Sequence, residues 1–141
     1  MANFDYTIII KGTPIPKSRP RFVRRGDYVG TYKPAQEARL EEDIQKLVKE
    51  QLEFQGLTEP IKKCVELSVM FDMPIPQSLK NKVNDGDIHA KKPDIDNLCK
   101  FIMDALNGIA WKDDKLVTRL SLQKRYSDVP KTVIWIYDDR R

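Results

Sequence analysis

Apolar positions recur along this chain with two periods, and the places where each period starts and stops divide it into elements. In Val65-Glu66-Leu67-Ser68-Val69-Met70-Phe71-Asp72-Met73 they alternate, which puts Val65, Leu67, Val69 and Phe71 on one face of a strand. Tyr6 to Lys11 is short and β-branched, ends at Gly12-Thr13-Pro14, and is read as a strand buried on both faces. Leu116 to Tyr126 is a long strand with Leu116, Thr118, Leu120 and Leu122 on one side. Lys131 to Tyr137 is a last strand, expected to form a hairpin with it. Tyr28 to Tyr32 is a candidate short strand. The helical period occurs twice. From Pro34 to Gln55, Ala38, Ile44, Val48 and Leu52 share a stripe joined by Leu40 and Leu47, and Gly56 is the stop. After Pro93, Leu98, Phe101, Ile102, Ala105 and Leu106 form a second stripe closed by Asn107-Gly108. Strands and helices in this order predict an α+β fold, a mixed β-sheet with two main helices on one side, in a single domain over residues 1–141.

Two stretches fit neither period. Pro14 to Arg25 carries three prolines and five basic side chains and is read as an irregular loop with a positive face. Gln77 to Ala90 is polar and lysine-rich, and is read as a mobile excursion with one helical turn near Ser78-Leu79-Lys80.

Composition changes this picture little, but the placement of charge changes it more. Twenty-five Lys and Arg against 21 Asp and Glu give a net charge of +4, too small an excess to identify a polyanion-binding protein. The basic residues crowd into Lys17 to Arg25 and Lys80 to Lys92. Acidic residues gather between Glu37 and Glu53 and again between Asp94 and Asp114. Cys64 and Cys99 have no metal-ligand spacing and sit among apolar neighbours, so reduced thiols are expected rather than a disulfide or a zinc site. The N-terminus lacks a signal-peptide pattern, and no apolar run approaches the roughly 18 residues of a membrane span. A soluble protein of the cytoplasm, with no membrane partner, is expected.

The chemistry concentrates in Lys91-Lys92-Pro93-Asp94-Ile95-Asp96-Asn97-Leu98-Cys99-Lys100 and its continuation through Asp104 to Asp113-Asp114. Two carboxylates about 4 Å apart repel by roughly 4 kcal/mol at an effective dielectric near 20 unless a cation or a proton intervenes. Asp94 and Asp96 fall at the start of a helix, and the short link after Gly108 can fold Asp113-Asp114 back towards them. Hard oxygen ligands meeting at such a junction suit Mg²⁺, which takes few carboxylates and keeps several waters. The reading is a Mg²⁺ site of Asp94, Asp96 and Asp114. Lys100, one turn after Asp96, would orient a water or stabilise developing charge, and the reaction class is phosphodiester hydrolysis. Each residue also has a plain structural reading. Aspartates before helices are caps, Asp113-Asp114 is a common turn, and Lys100 can be an i,i+4 ion pair. Lys17, Arg19 and Arg21 are candidate phosphate contacts or a solvated charge run. Glu37 and Glu41 remain candidates for a polar contact, and His89, the only histidine, is read as a bystander.

Lys92 to Lys100, followed by Asp104-Ala105-Leu106-Asn107-Gly108, Trp111-Lys112-Asp113-Asp114 and Lys124-Arg125-Tyr126, resembles the RusA family of Holliday-junction resolvases of bacteria and their prophages. Gly12-Thr13-Pro14-Ile15-Pro16-Lys17-Ser18-Arg19-Pro20-Arg21 resembles the N-terminal signature of its phage-type members. The resemblance implies a homodimeric, Mg²⁺-dependent endonuclease, with one or two ions, that resolves four-way DNA by paired nicks during recombination and repair. It carries the three essential aspartates to Asp94, Asp96 and Asp114 and the catalytic lysine to Lys100. Asp113, Asp104 and Asn97 would stand in a supporting shell. DNA would be held by Lys17, Arg19, Arg21, Arg24, Arg25, Lys91 and Lys92. Two other readings compete: a catalytically idle junction-binding protein with a structural metal, and a scaffold domain with no nucleic-acid role.

Overall fold

The computed structural model describes residues 4–18, 21–25, 28–32 and 35–138, with 21–25 and 28–32 described as backbone. In chain order the elements are β1 (Tyr6–Lys11), β2 (Arg21–Arg25), β3 (Tyr28–Tyr32), α1 (Ala35–Phe54), β4 (Val65–Pro74), α2 (Ile95–Leu106), β5 (Val117–Ser127) and β6 (Lys131–Asp138). Single 3₁₀ turns form at Gln77–Leu79 and Asp114–Leu116. The fold is α+β. Four strands form a mixed sheet in the order β1-β6-β4-β5, and β2 and β3 pair with each other.

The apolar stripes find one another as their periods predict. Val65, Leu67, Val69 and Phe71 of β4 share one core with Ile44, Val48 and Leu52 of α1 and with Leu98, Phe101, Ile102, Ala105 and Leu106 of α2. Both helices therefore cover the same face of the sheet. Leu40 and Leu47, expected on the α1 stripe, are instead over one-third exposed, because they lie to one side of the line through Ile44, Val48 and Leu52. Among the described residues no helix is long and apolar enough to cross a membrane.

Further expectations are corrected. β5 and β6 do not form a hairpin: β4 lies between them, parallel to β5 and antiparallel to β6. The three-residue link 128–130 passes the end of β4, which Pro74 terminates, and three residues readily span the roughly 10 Å between alternate strands. Next, β1 is not buried on both faces. Ile8 is fully buried but Ile9 is 43 % exposed, since only one side of the sheet carries helices. Its outer edge is closed by α1: Gln51 exchanges hydrogen bonds with the N–H and C=O of Ile9 (2.9 and 2.8 Å), and Gln55 does the same for Thr7 (2.9 and 2.7 Å). Four helical residues rise about 6 Å, close to two strand residues, so the two amides stand in for a neighbouring strand. Finally, the basic segment is not irregular throughout, because Arg21–Arg25 pairs antiparallel with Tyr28–Tyr32. Proline constrains its own position and the one before it, so Pro14, Pro16 and Pro20 leave Phe22-Val23 free to form a strand.

The segment 77–90 is also fixed where mobility was expected. Gly86 N–H donates to Tyr126 (2.7 Å), Tyr126 N–H to Asp87 (2.8 Å), and Asp128 N–H to the Asp85 carboxylate (2.8 Å). These bonds bind its second half to the free edge of β5.

Candidate active site

The site begins where the chain enters α2. A cis Lys92-Pro93 bond leads to Asp94, the N-cap residue, whose backbone is extended and whose carbonyl accepts from Asn97 and Leu98 N–H groups (3.2 Å each). Its carboxylate makes no capping bond and is exposed, which leaves it available at the positive end of the helix. Asp96 is also exposed, and one of its oxygens accepts from Asn97 N–H at 2.9 Å. No described lysine or arginine forms an ion pair with Asp94, Asp96 or Asp114.

Asp114 returns to this end of α2 through a short, tightly bonded link. Gly108, at a positive φ of 82°, starts a turn closed by its N–H on Trp111 C=O (2.8 Å). Ile61 then grips the strand-like residues beyond, accepting from Lys112 N–H (2.9 Å) and donating to Ala110 C=O (3.0 Å). The fully buried Trp111 donates its indole N–H to Asp114 Oδ1 at 2.7 Å and aims that carboxylate. Asp113 instead caps the following turn through Lys115 N–H at 3.0 Å. Burial pushes the Cys99 thiol pKa up, and the charges of Asp114 and then Asp96 push it further. Trp111→Phe, which keeps the aromatic body, is expected to cost only about 1–2 kcal/mol of stability, read by thermal melting.

A groove of about 980 Å³ opens beside Asp94 and Asp96, between residues 88–92 and β5, with Lys91, Lys92 and Lys124 on its walls. A second hollow of about 580 Å³, bordered by Lys17, Lys92 and Asn97, meets it at Asp94. Lys124 fixes the wall between β5 and the helix entry, donating its ammonium to the carbonyls of Lys91 (2.6 Å) and Pro93 (2.7 Å). Charge-assisted bonds of this kind contribute about 1.5–3 kcal/mol each. Lys124→Met should therefore lower the melting temperature, read by thermal denaturation. His89 is 8 % exposed on the same wall, its ring 4.7 Å from that of Tyr126 and its Nδ1 buried without a partner. Burial, with Lys124 and Lys91 nearby, holds its pKa below the usual imidazole range, so the ring is neutral at pH 7.

Asp94, Asp96, Lys91 and Lys92 line one groove, and Lys100 is exposed one turn beyond Asp96. Among the described residues, no group of three or more His, Cys, Asp or Glu side chains is arranged to hold a metal ion. The donor set is nevertheless all hard oxygen, and a cation such as Mg²⁺ is commonly held by one or two carboxylates, with waters and substrate phosphates completing its shell. Lys17 faces inward: its ammonium is 2.7 Å from Asp104 and 3.9 Å from Glu41, and its N–H donates to Asn97 C=O at 2.9 Å. Asp104 is thus a partner of Lys17, two turns along from Asp96. The buried Glu37 accepts from the Ser18 N–H and hydroxyl (2.6 and 2.9 Å), the polar contact for which it was a candidate. Arg19 lies outside the described residues, as do the side chains of Arg21, Arg24 and Arg25. Sequence reasoning gave no role to Lys124 or to Trp111 as a donor. The only signal was their presence in the Lys124-Arg125-Tyr126 and Trp111-Lys112-Asp113-Asp114 motifs.

The family model for the endodeoxyribonuclease RusA matches residues 11–137, from the end of β1 to the end of β6. The chain belongs to the RusA endodeoxyribonuclease family. Membership implies a DNA endonuclease, and the match spans both the aspartates at the start of α2 and Asp114. A curated relative in Bacillus subtilis (strain 168), the uncharacterized protein YqaN, is 28 % identical over 134 residues, covering 90 % of this chain and 92 % of its own. The RusA match takes in both helices and strands β2 to β6, not the aspartate motif alone.

Proposed function

We propose that this protein is a Mg²⁺-dependent, structure-selective endonuclease that resolves four-way DNA junctions by paired phosphodiester hydrolysis in recombination and repair. One observation carries the reading: in a RusA-family chain, the carboxylates of Asp94 and Asp96 stand exposed at a helix start, with no cationic partner among the described residues, on the edge of a lysine-walled groove. Asp94, Asp96 and Asp114 would hold the ion, which when bound makes hydroxide available near neutral pH and neutralises charge on the phosphate. Asp94 and Asp96 line the open groove, and Asp114, whose carboxylate Trp111 holds, would be the third oxygen donor. Lys100 would stabilise charge developing on the phosphate or the leaving oxygen. Asn97, whose backbone binds both Lys17 and Asp96, together with Asp113 and Asp104, supports the acidic set through the elements that carry it.

Two symmetric cuts need two active sites in fixed relation, so the working form is a homodimer of single-domain chains, acting in the cytoplasm where the DNA is. Lys91 and Lys92 contact phosphates on the groove wall, and Arg19, Arg21, Arg24 and Arg25 are the further candidate phosphate contacts. Lys17, paired with Asp104, contributes chiefly by pinning that segment to α2. Replacing Lys91 and Lys92 with alanine should weaken binding to all DNA shapes alike and flatten the salt dependence by roughly one to two phosphate contacts. The reading is tested with a synthetic four-way junction and a linear duplex of the same sequences. Cleavage of the junction in Mg²⁺, abolished by EDTA and at least about tenfold slower on the duplex, supports it. Tight junction binding with no cutting in Mg²⁺ would reduce the protein to a junction-binding module.

A further inference from the structure

Ile88 is 81 % exposed on the wall of the groove that holds Asp94 and Asp96. A lone exposed aliphatic side chain is ordinary, but this one is held in place and surrounded by charge. Its backbone bridges antiparallel to Arg125 on the free edge of β5. The bonds of Asp87 and His89 to Tyr126 and Lys124 (2.8 and 3.4 Å) secure it on both sides. Strand-like alternation then turns His89 inward, to 8 % exposure against Tyr126, and turns Ile88 outward. An apolar tip thus projects from a rigid edge, with Lys91 and Lys92 flanking it in the same groove.

We propose that Ile88 is an apolar wedge that packs against an unstacked base at the branch point of the bound DNA and helps the enzyme prefer branched over continuous duplex. The inference rests on the nuclease reading above and adds a residue that determines specificity. In a continuous duplex the base faces are stacked on one another, and only edges and phosphates are offered. At a branch point stacking is interrupted, and apolar side chains stabilise such openings by covering the exposed faces. Isoleucine has no hydrogen-bonding group, so it reads interruption of the stack and not base identity. The lysines beside it draw the phosphates that bring the branch point over it.

Ile88→Ala and Ile88→Leu separate the wedge from a general contact, and both should melt with the wild type because the side chain is exposed. Single-turnover cutting is measured on a fully paired four-way junction and on one carrying unpaired bases at its centre. Opening is followed in bound junctions by the fluorescence of 2-aminopurine at the branch point. Ile88→Ala is expected to cut the paired junction about tenfold more slowly, equivalent to about 1.4 kcal/mol. It should cut the pre-opened junction at the wild-type rate and lose the fluorescence rise, whereas Ile88→Leu keeps both. Equal rates for wild type and Ile88→Ala on the paired junction, or equal losses on both junctions, overturn the proposal. If the wild type cuts nothing, the nuclease reading fails; the wedge is then decided by the fluorescence rise and its loss in Ile88→Ala.

Discussion

Asp96→Asn is expected to fold and to bind four-way DNA as the wild type does, yet to cut it at least about a hundredfold more slowly, the usual scale for removing one oriented electrostatic group from a reacting centre. Amide replaces carboxylate at the same volume, and the Asn97 N–H that now bonds to Asp96 Oδ1 still finds an oxygen there. The helix start is therefore preserved. Charge is lost at a point where no described cation balances it, so binding should hold or tighten, since one negative group fewer faces the phosphates. Single-turnover kinetics beside gel-shift titrations without metal separate the two effects. Cutting at the wild-type rate would remove Asp96 from the chemistry, and an equal fall in binding and cutting would make it structural.

The second large effect lies behind the site. Asp72, fully buried in β4, is held by Arg125 of β5 at 2.7 Å and Lys131 of β6 at 2.8 Å, so one carboxylate joins three strands at the end that carries Lys124. Removing one partner of a buried ion pair costs about 3–5 kcal/mol; with Arg125 and Lys131 side chains 39 % and 30 % exposed, the lower figure is expected for Asp72→Asn. At this chain length that is a fall in Tm of about 10 °C. The pH dependence has a definite sign. Burial pushes the Asp72 carboxyl up, but the Arg125 hydrogen bond and the charges of Arg125 and Lys131 outweigh it and hold its pKa below the usual value. A depressed pKa stabilises the fold above the unfolded value of about 3.9 and ceases to do so as pH falls through the folded value. The Tm gap between wild type and Asp72→Asn should therefore be full at pH 6–7 and shrink below about pH 4. A gap that widened in acid would contradict this.

What was legible in the sequence was whatever depends on neighbours along the chain. The β4 alternation and the α2 stripe are local patterns, and their buried residues are those the periods name. The aspartates were legible as a cluster because Asp94 and Asp96 are two apart and Gly108 marks the turn that returns Asp114. Pairing across the sheet was not legible. β5 and β6 are consecutive and amphipathic, and nothing local reveals that β4 takes both as partners. The roles of long polar side chains were not legible for the same reason: Gln51, Gln55, Lys17 and Lys124 are each committed to a backbone or carboxylate distant in sequence. The segment 77–90 looked mobile by composition, but its partners are backbone groups of β5, which composition does not register.

The central claim, paired metal-dependent cutting at a DNA branch, is tested most directly with a supercoiled plasmid that extrudes a cruciform. The wild-type protein with Mg²⁺ should convert it to linear product within a single binding event, leave a plasmid lacking the cruciform intact, and cut neither plasmid in EDTA. Equal cutting of both plasmids, or no cutting at any Mg²⁺ concentration, would contradict it.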